Sequence, residues 1–195
     1  HIFIQHGMWD EVSIWNHSAF NAGLALWKPG DTVGDLNHSS DWGQYGDLQL
    51  GDLDTSLEWI AAAEDVLKNN PGDGRSAGTI VTMRARHIIE SKQWQTQEFS
   101  DDLNATELLA LGLSAANLNE FELANQVVNK LNEMVVASPN SVQNKLVYLE
   151  VAALTLHKQS INQPIVDVAK RQQAIELINE AITLKEQQLP PNGAA

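Results

Sequence analysis

The six histidines of this chain are the first side chains to suggest a metal site. His1 and His6 are five positions apart, whereas helical zinc sites place two histidines three or four positions apart on one face. The others are isolated in the sequence: His17, His38, His87 and His157. No His-Glu-x-x-His motif occurs, and the absence of cysteine excludes thiolate ligands, disulfides and a cysteine nucleophile. The sequence therefore predicts no metal site, and surface or packing roles for the histidines.

Two further segments contain the residue types of ligand sites without the required spacing. Asp47, Asp52 and Asp54 crowd together near Glu58, but the alternation of ligands with a glycine at the sharp turn that a calcium loop requires is missing. We interpret them as a solvated acidic turn. Segment 72–78 is glycine-rich, yet it has neither a preceding strand nor the dinucleotide-binding spacing. No serine lies in a nucleophile-elbow context, so we predict no catalytic residue and no cofactor.

One basic cluster stands out in a strongly acidic chain. Arg84, Arg86 and His87 lie together on one predicted helix, in a protein with 25 acidic and 12 basic residues and a net charge of −13. The planar fork of an arginine suits carboxylates and other anions. Two interpretations are open. Arg86, together with Arg84, contacts an anionic group of a ligand, or both arginines pair with acidic residues of the same chain.

The charge also restricts the classes of partner. A chain of net charge −13 repels polyanions, so DNA, RNA and anionic membrane surfaces are poor partners. Cationic or apolar peptide segments fit better. No run of eighteen apolar residues could span a membrane, and no signal-peptide pattern is present. Because the chain starts at His1, we interpret it as a piece of a longer protein. A cysteine-free soluble chain suits cytoplasm and periplasm alike, which leaves the compartment open.

The elements that must position these residues are all predicted to be helices. Apolar residues recur with a helical period, as at Leu108, Leu111 and Ala115, and no strand-like alternation occurs. Asn104 with Glu107, and Asn119 with Glu122, are typical of capping pairs at helix starts. A short helix at 1–6 is followed by predicted helices at 9–27, 37–50, 53–69, 76–91, 94–99, 104–117, 120–137, 141–158 and 165–188, and by a loose tail at 189–195.

The most specific pattern lies in the third quarter of the chain. Leu108, Leu111, Gly112 and Ala115 are followed by Phe121, Ala124, Val128 and Pro139. This pattern resembles a tetratricopeptide helix–turn–helix, in which small residues allow two helices to approach closely. We therefore expect Gly112 to lie near Ala124. The apolar residues that open the second helices are spaced irregularly, which departs from a strict repeat: Trp9, Leu53, Trp94 and Phe121.

Segments 1–11 and 41–51 resemble a group of bacterial tetratricopeptide-repeat proteins of unassigned function. The resemblance implies a right-handed α–α superhelix of about four antiparallel helix pairs plus an N-terminal stub, forming one domain over 1–195 that is truncated at both ends. It also implies a concave groove lined by the first helix of each pair. With the basic cluster added, the expected groove residues are His38, Asp41, Tyr45, Thr82, Arg84, Arg86, Leu109, Leu113 and Leu149.

The function implied by the resemblance is a non-catalytic scaffold that binds a protein or peptide in this groove. The groove residues are polar in the first half and apolar in the second, which suits a peptide with one polar and one apolar end. One alternative is an enzyme, or a regulatory segment of one, with a small-molecule site completed by residues outside this chain. The other is a purely structural module. We also expect self-association of this chain through its ends, or a solvent-exposed apolar stripe near Ile2, Ile4, Ile178 and Ile182.

Overall fold

Nine helices occupy most of residues 2–188, which are the residues that the computed structural model describes. No strand occurs in that range, so the all-α prediction is confirmed. Along the chain the helices are α1 (Ile2–Gln5), α2 (Trp9–Leu26), α3 (Gly34–Leu50), α4 (Leu53–Asn69), α5 (Gly74–Ser91), α6 (Ala105–Leu118), α7 (Phe121–Ala137), α8 (Val142–Ile161) and α9 (Val168–Glu186). Residue 1 and the predicted tail at 189–195 lie outside the described residues.

Nine of the ten predicted helices are present with shifts at their ends, and one prediction is wrong. Residues 92–100 form no regular structure, although a short helix was predicted over 94–99. Lys92 adopts a left-handed φ of 56° directly after α5, which ends the helix. The half-buried Trp94 and Thr96 lie two positions apart, the spacing at which an extended chain places side chains on one face.

The two predicted capping pairs have different outcomes. Asn104 accepts hydrogen bonds from the N–H groups of Thr106 and Glu107, and the Glu107 carboxylate accepts one from the Asn104 N–H. This capping box confirms the predicted start of α6. The prediction for Asn119 is wrong. Asn119 has a left-handed φ of 64° and ends α6 instead, because asparagine tolerates this conformation better than most residues.

The chain forms two compact units with their boundary between Gln93 and Trp94. In the first unit, α3 packs against α2, α4 and α5, and α4 packs against α5. In the second unit, α8 packs against α6, α7 and α9, and α6 packs against α7. Each unit therefore has one helix, α3 or α8, that contacts three others. The residues of the candidate sites lie mainly on these two helices.

The core of the first unit is built around Trp59 of α4, which is 3% exposed. Phe20 meets its ring edge-on, with 5.4 Å between the ring centroids. A Cβ added at Gly43 of α3 would lie 2.4 Å from the Trp59 ring. Only glycine at this position allows α3 and α4 to pack so closely.

The core of the second unit depends on small and branched apolar residues. Its fully buried side chains include Leu108, Ala115, Ala124, Val127, Leu131 and Val151. A Cβ added at Gly112 of α6 would lie 2.4 Å from Val151 Cγ1 of α8 and 3.0 Å from Val127 Cγ1 of α7. The close approach expected at Gly112 is present, but its tightest neighbour lies on α8. The predicted partner helix, α7, is the second nearest.

Candidate functional site

In the first unit, the Arg86 guanidinium is held by α3. Its Nη2 donates to Asp41 Oδ1 at 2.7 Å, and its Nη1 donates to the Asp41 carbonyl oxygen at 2.9 Å and to Gln44 Oε1 at 3.1 Å. The amide of Gln44 in turn donates to the Met83 carbonyl at 2.8 Å. Arg86 and Asp41 are only partly exposed. The arrangement ties α5 to α3 through an ion pair and three further hydrogen bonds.

Aromatic rings extend from this ion pair. The Arg86 guanidinium carbon lies 5.5 Å from the centroid of the Tyr45 ring, which is within cation–π range. Tyr45 also contacts the rings of Trp9 and Trp42 edge-on, at 5.5 Å and 6.2 Å between centroids. The ring centroids of His38 and Trp42 are 6.3 Å apart. Of the six predicted polar groove residues, the structure therefore brings together His38, Asp41, Tyr45 and Arg86.

The two other predicted polar residues lie elsewhere in the first unit. Thr82 is exposed, and its hydroxyl donates to the Gly78 carbonyl of its own helix at 3.1 Å. Arg84 donates to Glu64 at 2.6 Å and borders a separate surface cavity of about 710 Å³ between α4 and α5. Both arginines of the basic cluster therefore pair with acidic residues of this chain, which is the second of the two interpretations that the sequence left open.

Asp47 is buried, which corrects its interpretation as part of a solvated turn. The residue is 2% exposed, and its Oδ2 accepts a hydrogen bond from the Trp59 indole N–H at 2.6 Å. His17 Nε2 lies 3.5 Å from the same oxygen, and the His17 ring lies over Trp59 at 4.2 Å between centroids. The carboxylate orients the central tryptophan of this unit. Asp52, by contrast, caps α4, and the hydrogen bonds from Thr55 lower its pKa.

Ser56 and His87 form a second buried polar pair in the first unit, with Ser56 Oγ 2.9 Å from His87 Nδ1. His87 Nε2 is buried without a hydrogen bond of good geometry. Burial lowers the pKa of His87, and the side chain of Gln93 opposes this shift. A serine–histidine pair suggests nucleophilic catalysis, but Ser56 is fully buried and no substrate could reach it. The pair therefore acts in packing, as the sequence predicts for the histidines.

The second unit contains an open apolar groove with a volume of about 350 Å³. We call it the apolar groove, and it is lined by Leu113 of α6, by Glu150, Ala153, Leu154 and His157 of α8, and by Ala174, Ile175 and Ile178 of α9. Leu113 was expected in a groove from the sequence. The two other leucines expected there do not line it: Leu109 is half-buried and Leu149 is a buried core residue.

Glu150 is the unusual residue of the apolar groove. Its carboxylate makes no hydrogen bond and no ion pair with any residue in the described part of the chain. The residue as a whole is exposed, but the apolar atoms around its carboxyl group desolvate it and raise its pKa. His157 lies seven positions later on α8, two helical turns away on the same face. The sequence carried no signal for Glu150, because only folding surrounds it with apolar side chains.

Exposed isoleucines continue the apolar groove along α9. Ile175 and Ile178 line the groove and are exposed, and Ile182 follows one turn later. Of the predicted apolar stripe, Ile2, Ile178 and Ile182 are exposed and Ile4 is half-buried. An exposed apolar surface of this kind is a common mark of an interaction site.

Among residues 2–188, no group of three or more His, Asp or Glu side chains could hold a metal ion. None of the helices described there is both long and apolar enough to cross a membrane. No family model matches the chain, and neither the curated proteins nor the solved structures contain a significant match to it.

Proposed function

We propose that this protein is a non-catalytic helical-repeat scaffold that binds a protein or peptide partner through the apolar groove. The observation that supports the proposal is the open groove of about 350 Å³, with exposed isoleucines along its α9 wall. Its volume lies in the range of about 300–1,000 Å³ that is common for ligand sites. It has room for a few aliphatic side chains of a peptide.

The proposed mode of binding is a helix in a groove, in which an amphipathic segment places its apolar face against the receptor. Leu113 and Ala153 form the floor, and Ile175 and Ile178 form the exposed wall. In the proposed tetratricopeptide-like superhelix, α6 and α8 are the first helices of successive pairs. Both contribute side chains to the apolar groove, as the resemblance to that family implies for a concave binding face.

The partner peptide is to be found by selection from a displayed random-peptide library against the full 195-residue chain. We expect the selected peptides to perturb the NMR signals of Leu113, Ala153 and Ile178, and to lose binding when Ile178→Asp places a charge in the wall. Val136→Asp is the matched control, because Val136 is an exposed apolar residue of the same unit that does not line the groove.

Both variants must melt like the parent chain for the comparison to count as a test of binding. Peptides that bind equally well to the parent, to Ile178→Asp and to Val136→Asp would overturn the proposed function. The same conclusion would follow if the library yielded peptides whose NMR perturbations all lay outside the apolar groove.

A second candidate function is a small-molecule site in the same groove, belonging to an enzyme or regulatory protein completed by other residues. The observation that favours it is Glu150, a carboxyl group whose pKa burial raises, in a cavity that also contains His157. Titratable groups with shifted pKa values in clefts are enriched at functional sites. A fragment screen by NMR separates the candidates: small molecules that saturate the groove while no peptide binds there would favour this one.

A further inference from the structure

We propose that the apolar groove selects peptide segments that carry a lysine or arginine beside their apolar residues, and that Glu150 is the residue that recognises the basic group. This inference rests on the proposed function and names the class of partner. It depends on two observations: the groove has apolar walls, and the one carboxylate lining it has no partner in the described part of the chain.

The side chains around Glu150 in the apolar groove are apolar. The groove residues nearest to it along α8 are Ala153 and Leu154, and Leu113 faces the same cavity from α6. A carboxylate among apolar atoms loses part of its hydration, and pairing with a cation or a hydrogen-bond donor compensates for this loss. The structure supplies neither within residues 2–188.

Two lysines of the same unit pair with carboxylates other than Glu150. Lys145, on the same helix as Glu150, pairs with Glu180 at 2.8 Å, and Lys130 pairs with Asp101 at 3.3 Å. His157 is the other titratable residue that lines the groove, and no ion pair joins it to Glu150. A basic side chain of a bound segment would give Glu150 a charge-assisted hydrogen bond, the strong kind in a partly desolvated site.

The negative charge of the whole chain also favours a basic partner. A net charge of −13 attracts basic segments over a distance and repels acidic ones. This attraction is long-range and does not depend on any single carboxylate, whereas the contact with Glu150 is local. The test must therefore separate the two effects.

The probes are three synthetic amphipathic peptides that share one stripe of leucines and differ only beside that stripe, where they carry lysine, glutamine or glutamate. Binding to the full chain is measured by calorimetry and by NMR at moderate and high salt. We expect the lysine peptide to bind about tenfold more tightly than the glutamine peptide. The glutamate peptide should bind most weakly. At high salt the long-range attraction is screened, and the remaining preference reports the local contact.

The decisive variant is Glu150→Gln, which removes the charge and keeps the shape. It should erase the tenfold preference for the lysine peptide over the glutamine peptide. The matched control is Glu133→Gln, an exposed carboxylate of α7, which changes the net charge equally and should keep the preference.

The outcomes distinguish this inference from the proposed function. Equal binding of the lysine and glutamine peptides in the groove, still abolished by Ile178→Asp, would overturn the role of Glu150 and leave the proposed function standing. Equal loss of preference in Glu150→Gln and Glu133→Gln would also overturn it, because only the overall charge would then matter. If none of the three peptides bound in the groove, both proposals would fail.

Discussion

The two units bury different kinds of side chain. In the first unit, Gln44, Asp47, Ser56 and His87 are buried together with the apolar residues, and each makes a side-chain hydrogen bond. In the second unit, the interior is mostly leucine, valine and alanine. Its buried Ser114 and Thr155 hydroxyls, unlike that of Ser160, have no partner among residues 2–188. The first core is therefore held in place by directed hydrogen bonds in addition to close packing, whereas the second depends mainly on close packing.

This difference suggests what each unit requires of its sequence. Hydrogen-bonded polar cores specify one arrangement of helices, because each donor must meet its acceptor. Close-packed apolar cores tolerate polar-to-apolar changes but not added volume. Loss of a hydrogen-bond partner should therefore destabilise the first unit more than the second, whereas a larger side chain at a close contact, such as Gly43 or Gly112, should destabilise either unit.

The largest expected effect is overpacking in the second unit. Gly112→Leu should destabilise the protein by about 3 kcal/mol, because even a Cβ at this position would lie 2.4 Å from Val151. Gly78→Ala is the control, since no atom lies within 4 Å of an added Cβ there, and it should stabilise α5 by about 0.5–1 kcal/mol. Chemical denaturation measures both. A Gly112→Leu variant as stable as the parent would contradict the close packing of α6 and α8.

The next largest effect tests the hydrogen bonds of the first unit. Gln44→Leu should destabilise by about 2 kcal/mol, because the Met83 carbonyl loses its donor and Arg86 loses one acceptor. The exposed Gln49 of the same helix provides the matched control, Gln49→Leu, which should change the free energy of unfolding by less than about 0.5 kcal/mol. Equal effects of the two substitutions would show that the polar interior does not stabilise α3.

Thr155→Val tests the opposite expectation in the second unit, namely that loss of a buried polar group costs little stability. Because the Thr155 hydroxyl is buried without a partner, its removal frees no donor or acceptor. The free energy of unfolding should change by less than about 1 kcal/mol and can increase. A loss as large as that of Gln44→Leu would remove the contrast between the two cores.

Acid should weaken the first unit through His87. Burial lowers the pKa of His87 below its ordinary value of 6.5, so the unfolded chain takes up a proton at a higher pH than the folded chain. The stability from the neutral ring is complete above pH 6.5 and is lost as the pH falls through the lowered pKa. His87→Gln should flatten this part of the melting profile, whereas His6→Gln, at an exposed site, should leave it unchanged.

The smallest effect concerns Glu150, which is exposed as a residue. Burial raises the pKa of its carboxyl group above the ordinary 4.5, so the folded state is favoured by protonation. This stability is present below pH 4.5 and is lost as the pH rises through the raised pKa. Glu150→Gln should therefore melt slightly above the parent at pH 7 and together with it in acid. A lower melting temperature at pH 7 would mean that Glu150 stabilises the fold.

Local signals in the sequence were sufficient to predict most helices. The start of α6 follows from Asn104 and Glu107, whose capping box needs only one helical turn. The apolar period around Leu108 and Leu111 identified the same helix. Predictions that relied on a weaker local signal were wrong, as at Asn119 and over 94–99, because one residue or a short segment adopts whichever conformation its neighbours favour.

The contents of the candidate sites were mostly beyond sequence reasoning. Arg86 could be identified as unusual, but its partner Asp41 is 45 positions away, and many other carboxylates were available. Asp47 looked like a surface residue until α3 and α4 enclosed it around Trp59. Leu113 was expected in a groove, whereas Glu150 and the isoleucines of α9 were not.

The sequence by itself determined the all-helical class, most helix boundaries and the acidic surface, because these depend on periodicity, on caps within one turn and on composition. Only the tertiary structure decided which buried polar groups are paired, and that Glu150 lies in the apolar groove without a partner among residues 2–188. These properties depend on contacts between helices far apart in the chain, where many pairings have similar local energies and packing selects one.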